Sequence, residues 1–215
     1  MISPDDQERV DAIEQALLAR WPETRIAPST ERIAALVDLL GSPQLTYPTI
    51  HIGGTNGKTT TVEMVAKILQ TAGLKAVACG NVGDTVIEAV DRENAYDYLV
   101  LELSSFQLHW AKQAQFVSAA ILNIADDHLD WHGTLDAYAD AKFSILERAD
   151  IAILNADDEQ VVLRANRFTD RKVFFSLDTP APGEIGVVEE LLVDRAFVAD
   201  PLEAAMICEL KDITP

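Results

Sequence analysis

Apolar residues recur at helical spacing in two stretches at the start of the chain. Val10, Ile13, Ala16, Leu17 and Leu18 form one stripe through residues 4–21, the pattern of an amphipathic helix. A second helix starts at Ser29 or Thr30 and places Ile33, Leu36, Val37, Leu39 and Leu40 on its apolar side. It stops at Gly41, with Pro43 beyond; glycine closes helices readily and proline cannot continue them. From Tyr47 the texture changes. Short, fully apolar runs predict strands over 47–52, 75–79, 98–103, 118–124, 151–154 and 172–176. Between them, helical patterns cover 60–72, ended by Gly73, and 135–148, with Thr134 as N-cap. A short helix follows Asn155–Asp158, where an aspartate after a strand is placed to cap it. Strands without polar alternation are buried on both faces, and intervening helices supply the crossovers. The fold class is therefore α/β, a mostly parallel sheet flanked by helices. After Pro180 the pattern predicts a small β-hairpin over 183–198 and a last helix over 201–210. The chain divides into a helical segment, 1–46, and a sheet-bearing domain, 47–215.

The polar loops of this domain follow the C-terminal ends of strands, where open α/β sheets place their ligands. The most informative is Ile52-Gly53-Gly54-Thr55-Asn56-Gly57-Lys58-Thr59-Thr60. Glycines let the backbone turn tightly and aim its N–H groups inward, and the following helix adds the partial positive charge of its N-terminus, so the segment suits phosphate. Lys58 is placed to reach β- and γ-phosphates, and Thr59 to put its hydroxyl on Mg2+. Ile52 occupies the place where the standard phosphate loop has glycine, so the loop is a variant of that motif.

The charge of the chain narrows its partners. The formal net charge is -18 and the pI about 4.4. Such a field repels nucleic acid and anionic membrane, and it requires a local cation to hold a nucleotide. Residues 1–6 are acidic with no apolar run after them, and no run reaches membrane-spanning length. A cytoplasmic monomer is expected, with Cys79 and Cys208 as free, buried thiols.

Three further side chains carry candidate chemistry. Glu102 ends an apolar strand in LVLELSSFQL, and a strand-end carboxylate facing a phosphate loop suits Mg2+, which prefers hard oxygens. His128 follows another apolar strand and is flanked by Asp126, Asp127 and Asp130; a structural role and a metal or phosphate role are both open. Lys142 shares a helix face with Ala139, Phe143 and Leu146. On spacing alone it either snorkels outward or points into the site. Trp110, Trp131 and His132 read as packing or loop anchors.

GTNGKTT after an apolar strand resembles the phosphate loop of Mur ligases and folylpolyglutamate synthases. GNVG, LELSSFQL, LNIADDHLDWHG and YADAKFSIL are similar, in order and distance, to the D-glutamate-adding branch of the Mur ligases. The resemblance runs from about Gly54 to the C-terminus. It implies an ATP-dependent acid–amino-acid ligase of peptidoglycan synthesis that works through an acyl phosphate, with ATP and Mg2+ as cofactors. Its small-molecule substrates would be a carboxylate acceptor, UDP-N-acetylmuramoyl-L-alanine, and D-glutamate. It implies that Gly54, Thr55, Asn56, Gly57, Lys58, Thr59 and Thr60 bind ATP, and that Asn81 and Ser104 lie at the substrate site. Thr59 and Glu102 would hold one Mg2+. His128 and a carbamylated Lys142 would hold a second, leaving Lys58, His128 and Lys142 as the catalytic set. The opening segment, through LLGSPQ and IHIGGTNGKT, instead resembles folylpolyglutamate synthases, which implies glutamate addition to a folate as the alternative. The resemblance also implies an adenine-holding loop and a C-terminal amino-acid-binding domain that this sequence does not contain. An incomplete ligase, or a nucleotide-binding module without turnover, is thus a further expectation.

Overall fold

The computed structural model describes residues 47–90, 95–110, 114–167, 171–200 and 202–213. The two helices expected before Gly41 lie outside them, as does the domain boundary at 46/47. Strand β1, Thr49–Gly53, leads into helix α1, Lys58–Thr71. Then come β2, Ala76–Gly80; α2, Val86–Val90; β3, Tyr98–Glu102; and α3, Ser105–Trp110. Next are β4, Ser118–Ile121; α4, Leu129–His132; α5, Leu135–Phe143; β5, Ala152–Asn155; α6, Glu159–Ala165; and β6, Lys172–Phe175. Strands β7, Glu184–Val188, β8, Leu191–Asp194, and β9, Ala205–Glu209, follow.

The described strands form one 9-stranded sheet, ordered β2-β3-β1-β4-β5-β6-β7-β8-β9. Pairing is parallel from β2 across to β7 and antiparallel from β7 to β9. This is the α/β arrangement that the apolar runs predict. β1 lies between β3 and β4, so the loops after those three strands open side by side at one sheet edge.

Both faces of the sheet are covered around β1. On one face Ile52, Val100 and Ala120 pack against Val62 and Ala66 of α1. On the other, Leu101, Ile121 and Leu154 pack with Leu108, Tyr138, Ala139, Phe143, Ile145 and Val161, drawn from α3, α5, α6 and the turn after α5. Thr134 caps α5 by accepting from the Ala137 N–H at 3.1 Å, and Asp158 caps α6 by accepting from the Val161 N–H at 2.9 Å. Arg164 of α6 and Arg167, just beyond its end, pair with Asp136 and Asp140 of α5.

Three expectations need correction. The helix expected over 135–148 ends at Phe143 and continues through Ser144 into a 3-10 turn, Leu146–Arg148. The turn buries Ile145 and Leu146 against the sheet, which a straight helix would carry away from it. The helix expected over 201–210 is instead strand β9. Met206 and Leu210 have helical spacing, but backbone pairing with β8 decides the outcome, with Leu191, Leu192 and Asp194 facing Glu209, Cys208 and Ala205; such tertiary pairing overrides weak local preference. Finally, Cys79 is buried but Cys208 is only half-buried, both being free thiols. Burial, with the Asp84 carboxylate adding, pushes the Cys79 thiol up to about 11, so it is unreactive.

Candidate functional site

The loop after β1 turns on two glycines with positive φ. Gly54 (φ 147) lies so close to β4 that a Cβ there would meet the Leu122 Cβ at 3.2 Å and the Asn123 N at 3.3 Å. Gly57 (φ 77) takes the left-handed conformation at the N-cap of α1, leaving the first-turn N–H groups open for an anion. Asn123, the residue two beyond β4, braces the loop. Its Oδ1 accepts from the N–H of Thr55 at 3.0 Å and of Asn56 at 2.8 Å, and its Nδ2 donates to the Asn56 carbonyl at 3.1 Å. Thr55 is fixed again through its hydroxyl, which accepts from the Ala125 N–H at 3.0 Å and shares a 3.2 Å hydrogen bond with the Tyr138 hydroxyl.

Three of the expected residues meet at this loop. Lys58 donates to the Thr55 carbonyl at 2.8 Å, and its Nζ stands 4.0 Å from Glu102 Oε1. Thr59 donates its hydroxyl to Glu102 Oε2 at 2.7 Å. Glu102 is 4% exposed, yet this hydroxyl and the nearby ammonium partner its carboxylate. Thr60 is exposed on the first turn of α1, as is Asn56 at the tip of the loop.

His128 and Lys142 reach the site from its other side, and both border Tyr138. The His128 ring stands 6.5 Å from the Tyr138 ring and 4.9 Å from Phe106, with Nε2 3.5 Å from the Asp127 carboxylate. His128 adopts φ 52, an uncommon left-handed conformation for a non-glycine residue, at the start of α4. Lys142 is 3% exposed, so it does not snorkel into solvent; its Nζ lies 4.9 Å over the Tyr138 ring. Burial, then the Lys58 charge, lowers its pKa to about 8, while Asp127 and Glu102 act in the opposite direction.

The two expected substrate residues occupy backbone-linked positions. The N–H of Asn81, an exposed residue just after β2, donates to the Glu102 carbonyl at 2.7 Å. Ser104 forms a reciprocal cap with Gln107, donating its N–H to the glutamine oxygen at 2.8 Å and accepting the Gln107 N–H at 3.2 Å. Asn123 and Tyr138 were not singled out by sequence reasoning. An asparagine closing a run as apolar as Ser118–Leu122 was the available signal for the first. Nothing local marked Tyr138, whose partner Thr55 is 83 residues away. His132 and Trp131 do pack, with ring centroids 4.5 Å apart, and His132 shares a 2.9 Å hydrogen bond with Ser105.

The Mur ligase middle domain family matches residues 52–197. The chain belongs to that family. Over 174 residues it is 48% identical to the UDP-N-acetylmuramoylalanine–D-glutamate ligase of Streptomyces coelicolor, covering 78% of this chain and 37% of that protein. Over 172 residues it is 49% identical to the ligase of the same name from Thermobifida fusca, covering 77% and 37%. The chain thus spans about 37% of the length of these relatives. Among solved structures, the MurF ligase of Thermotoga maritima in complex with ADP aligns with a TM-score of 0.57 at 21% identity, over 75% of this chain and 41% of that one. The Mycobacterium tuberculosis folylpolyglutamate synthase complexed with ADP aligns with a TM-score of 0.57 at 22% identity, over 85% and 54%. These two likenesses establish the family fold. None of the helices among the described residues is long and apolar enough to cross a membrane.

One buried group gives the domain a pH dependence. His51, on β1 immediately before the Ile52–Thr60 loop segment, is fully buried, and burial holds its pKa down to about 3, the charges of Lys142 and Arg148 adding to the effect. The unfolded chain takes up this proton near pH 6.5, and the folded chain does not. His51 therefore contributes stability that is complete above about pH 6.5 and lost progressively as pH falls towards 3, at about 1.4 kcal/mol per unit. Urea unfolding at pH 7 and pH 5 should show a loss of about 2 kcal/mol from this group. A His51→Phe variant that loses as much over the same interval would refute the assignment.

Proposed function

We propose that this domain binds Mg-ATP and acts as the phosphoryl-transfer core of a D-glutamate-adding ligase. The observation that carries this is the meeting of Lys58, Thr59 and Glu102 at one braced phosphate loop. The 48% and 49% identity to named D-glutamate ligases supports the choice of substrate class. In this reading the substrates are a carboxylate acceptor of the UDP-N-acetylmuramoyl-L-alanine type and an amino acid. The acceptor carboxylate attacks the γ-phosphate, an acyl phosphate forms with loss of ADP, and the amine displaces inorganic phosphate. Such transfers depend mainly on positioning and charge neutralisation. The loop amides and Lys58 hold the phosphates, Asn123 keeps those amides aimed, and Asn81 and Ser104 border the acceptor.

The residues suit Mg2+. Thr59 and Glu102 offer hard oxygens beside the loop, and phosphate and water oxygens would complete the shell. Among the described residues no group of three or more His, Cys, Asp or Glu is placed to hold a metal ion. The bound metal neutralises charge on the phosphates. His128 and Lys142 suit a second metal only if the lysine is anionic. With its pKa lowered to about 8, the buried amine is about one-tenth neutral at pH 7. The neutral amine adds CO2 by forming an N–C bond and releasing a proton, which reverses the charge at this position.

We assign residues 1–46 to a separate helical segment of folylpolyglutamate-synthase type, on the strength of LLGSPQ and IHIGGTNGKT. That resemblance keeps glutamate addition to a folate as the second reading. A cytoplasmic, monomeric enzyme fits the charge and the free thiols. Calorimetric titration tests the core claim: ATP should bind with Mg2+ and more weakly with EDTA. Phosphate release should then follow addition of UDP-N-acetylmuramoyl-L-alanine and D-glutamate, not of a folate and L-glutamate. Binding without release under both conditions would make the chain a nucleotide-binding module. Failure to bind ATP with Mg2+ would end the proposal.

A further inference from the structure

Residues 155–158, between β5 and α6, lie beside the strip of chain that leaves β4. That strip, residues 122–125, is the wall against which the phosphate loop is fitted. On one side its groups turn to the loop. The Leu122 N–H donates to the Gly53 carbonyl at 2.9 Å. The Asn123 carbonyl and Oδ1 both accept the Thr55 N–H at 3.0 Å, and Oδ1 also accepts the Asn56 N–H at 2.8 Å. The Ala125 N–H donates to the Thr55 hydroxyl at 3.0 Å. On the other side, two side chains of residues 155–158 hold the same strip. Asn155 Nδ2 donates to the Leu122 carbonyl at 2.9 Å, and Asp158 Oδ2 accepts the Ile124 N–H at 3.3 Å. The two anchors flank Asn123, one attached just before it and one just after.

Each anchor is fixed by a second bond within its own loop. Asn155 Oδ1 accepts the Asp157 N–H at 2.9 Å, which turns the amide nitrogen towards Leu122. Asp158 Oδ1 accepts the Val161 N–H at 2.9 Å as the cap of α6. A cap needs only one oxygen, so the second oxygen of Asp158 is left for the strip beyond β4. Asp157 turns elsewhere: its exposed carboxylate accepts the Leu177 N–H, beyond β6, at 2.8 Å. Because Gly54 already lies against Leu122 and Asn123 with no room for a Cβ, a shift of the strip passes to the phosphate loop instead of being absorbed.

We propose that Asn155 and Asp158 are positioning residues for the phosphate loop, acting through Asn123. Neither touches a phosphate. They fix the backbone on both sides of Asn123, and Asn123 aims the Thr55 and Asn56 amides. The effect on ligand binding rests on the reading of this loop as the ATP site.

Two isosteric substitutions separate this role from helix capping. Asn155→Asp keeps the oxygen that accepts from Asp157 and sets an oxygen, in place of a donor, against the Leu122 carbonyl. Asp158→Asn keeps an oxygen for the α6 cap and sets an amide donor against the Ile124 N–H. In the full chain, amide exchange followed by NMR should show Thr55 and Asn56 exchanging about fivefold faster in either variant. Val100, inside β3, should keep its parent rate, because it reports global opening. Mg-ATP affinity, measured by calorimetry, should fall about fivefold in both. Asp157→Ala, the control, should change none of these readings. The two anchor variants alter the charge in opposite directions, so a purely electrostatic effect would move affinity in opposite directions, and that result would overturn the proposal. Parent exchange rates at Thr55 and Asn56 in both variants would also overturn it. So would equal acceleration of Val100, which reports lost stability alone, or faster loop exchange with the parent ATP affinity. If one anchor variant does not fold, exchange and affinity in the other decide the matter. A parent chain that fails to bind Mg-ATP would end the proposed function, while the exchange rates would still decide whether these anchors hold the loop.

Discussion

Replacing Lys58 by alanine should weaken Mg-ATP binding by about a hundredfold or more, with the unfolding midpoint in urea almost unchanged. Lys58 spends its hydrogen bond on the Thr55 carbonyl and stands 4.0 Å from Glu102. Neither contact packs the core, so its loss costs the fold little. With nucleotide bound, the same ammonium would face phosphate oxygens, and charge-assisted hydrogen bonds of that kind contribute about 1.5–3 kcal/mol each. The whole chain carries a formal charge of -18, so no diffuse attraction compensates for the missing cation. Calorimetry at constant ionic strength is the measurement. A Lys58→Ala protein that binds Mg-ATP as tightly as the parent would show that the phosphates lie elsewhere.

Gly80→Ala should be the most destabilising single methyl addition near the site, at about 3 kcal/mol or more. Gly80 ends β2 with φ 109, a conformation that side chains resist. A Cβ there would stand 2.4 Å from the Glu102 carbonyl oxygen. That oxygen is backbone and accepts the Asn81 N–H at 2.7 Å, so it cannot move aside cheaply. Any relief must shift the end of β3, and with it the carboxylate that holds Thr59. The expected result is a fall in thermal stability together with weaker Mg2+ dependence of ATP binding. An unchanged melting temperature would mean that the β2–β3 edge is looser than its hydrogen bonds indicate.

What could be read from the chain and what could not divide along a physical line. The turn from β1 into α1 is written locally: glycines where φ is positive, a lysine and a threonine at the helix start, and apolar residues before them. Glu102 was legible for the same reason, as a charge closing an otherwise apolar strand. Lys142 was only half legible. Periodicity put it on the buried face of α5, but whether its head escaped to water depended on Tyr138 and the loop beneath. Asn123 and Tyr138 act on Thr55 from 68 and 83 residues away, and no local pattern encodes such distances. His51 looked like any polar residue in a strand until the sheet closed over both faces. Strand β9 was misread because Met206 and Leu210 fit a helix, whereas its partner β8 was already waiting as an edge.

The change from parallel to antiparallel pairing at β7 bears on how the chain reaches this state. Strands β7, β8 and β9 are consecutive in sequence and adjacent in space, so their pairing closes only short loops. Hairpins of that kind form in about 1–10 μs. β1 cannot pair with β3 until the intervening chain, including α1 and β2, has folded back across the sheet. The same delay applies to β4, since α3 lies within its connection. Such long closures lower the folding rate. The meander should form early, and its partly exposed strands β8 and β9 should open often, while the strands bearing the phosphate loop, buried on both faces, open only when the whole domain does. Amide protons of β8 and β9 would then exchange through local opening, and those of β1, β3 and β4 only through global unfolding. The edge that carries the candidate site would owe its rigidity to strands that are paired on both sides and covered on both faces.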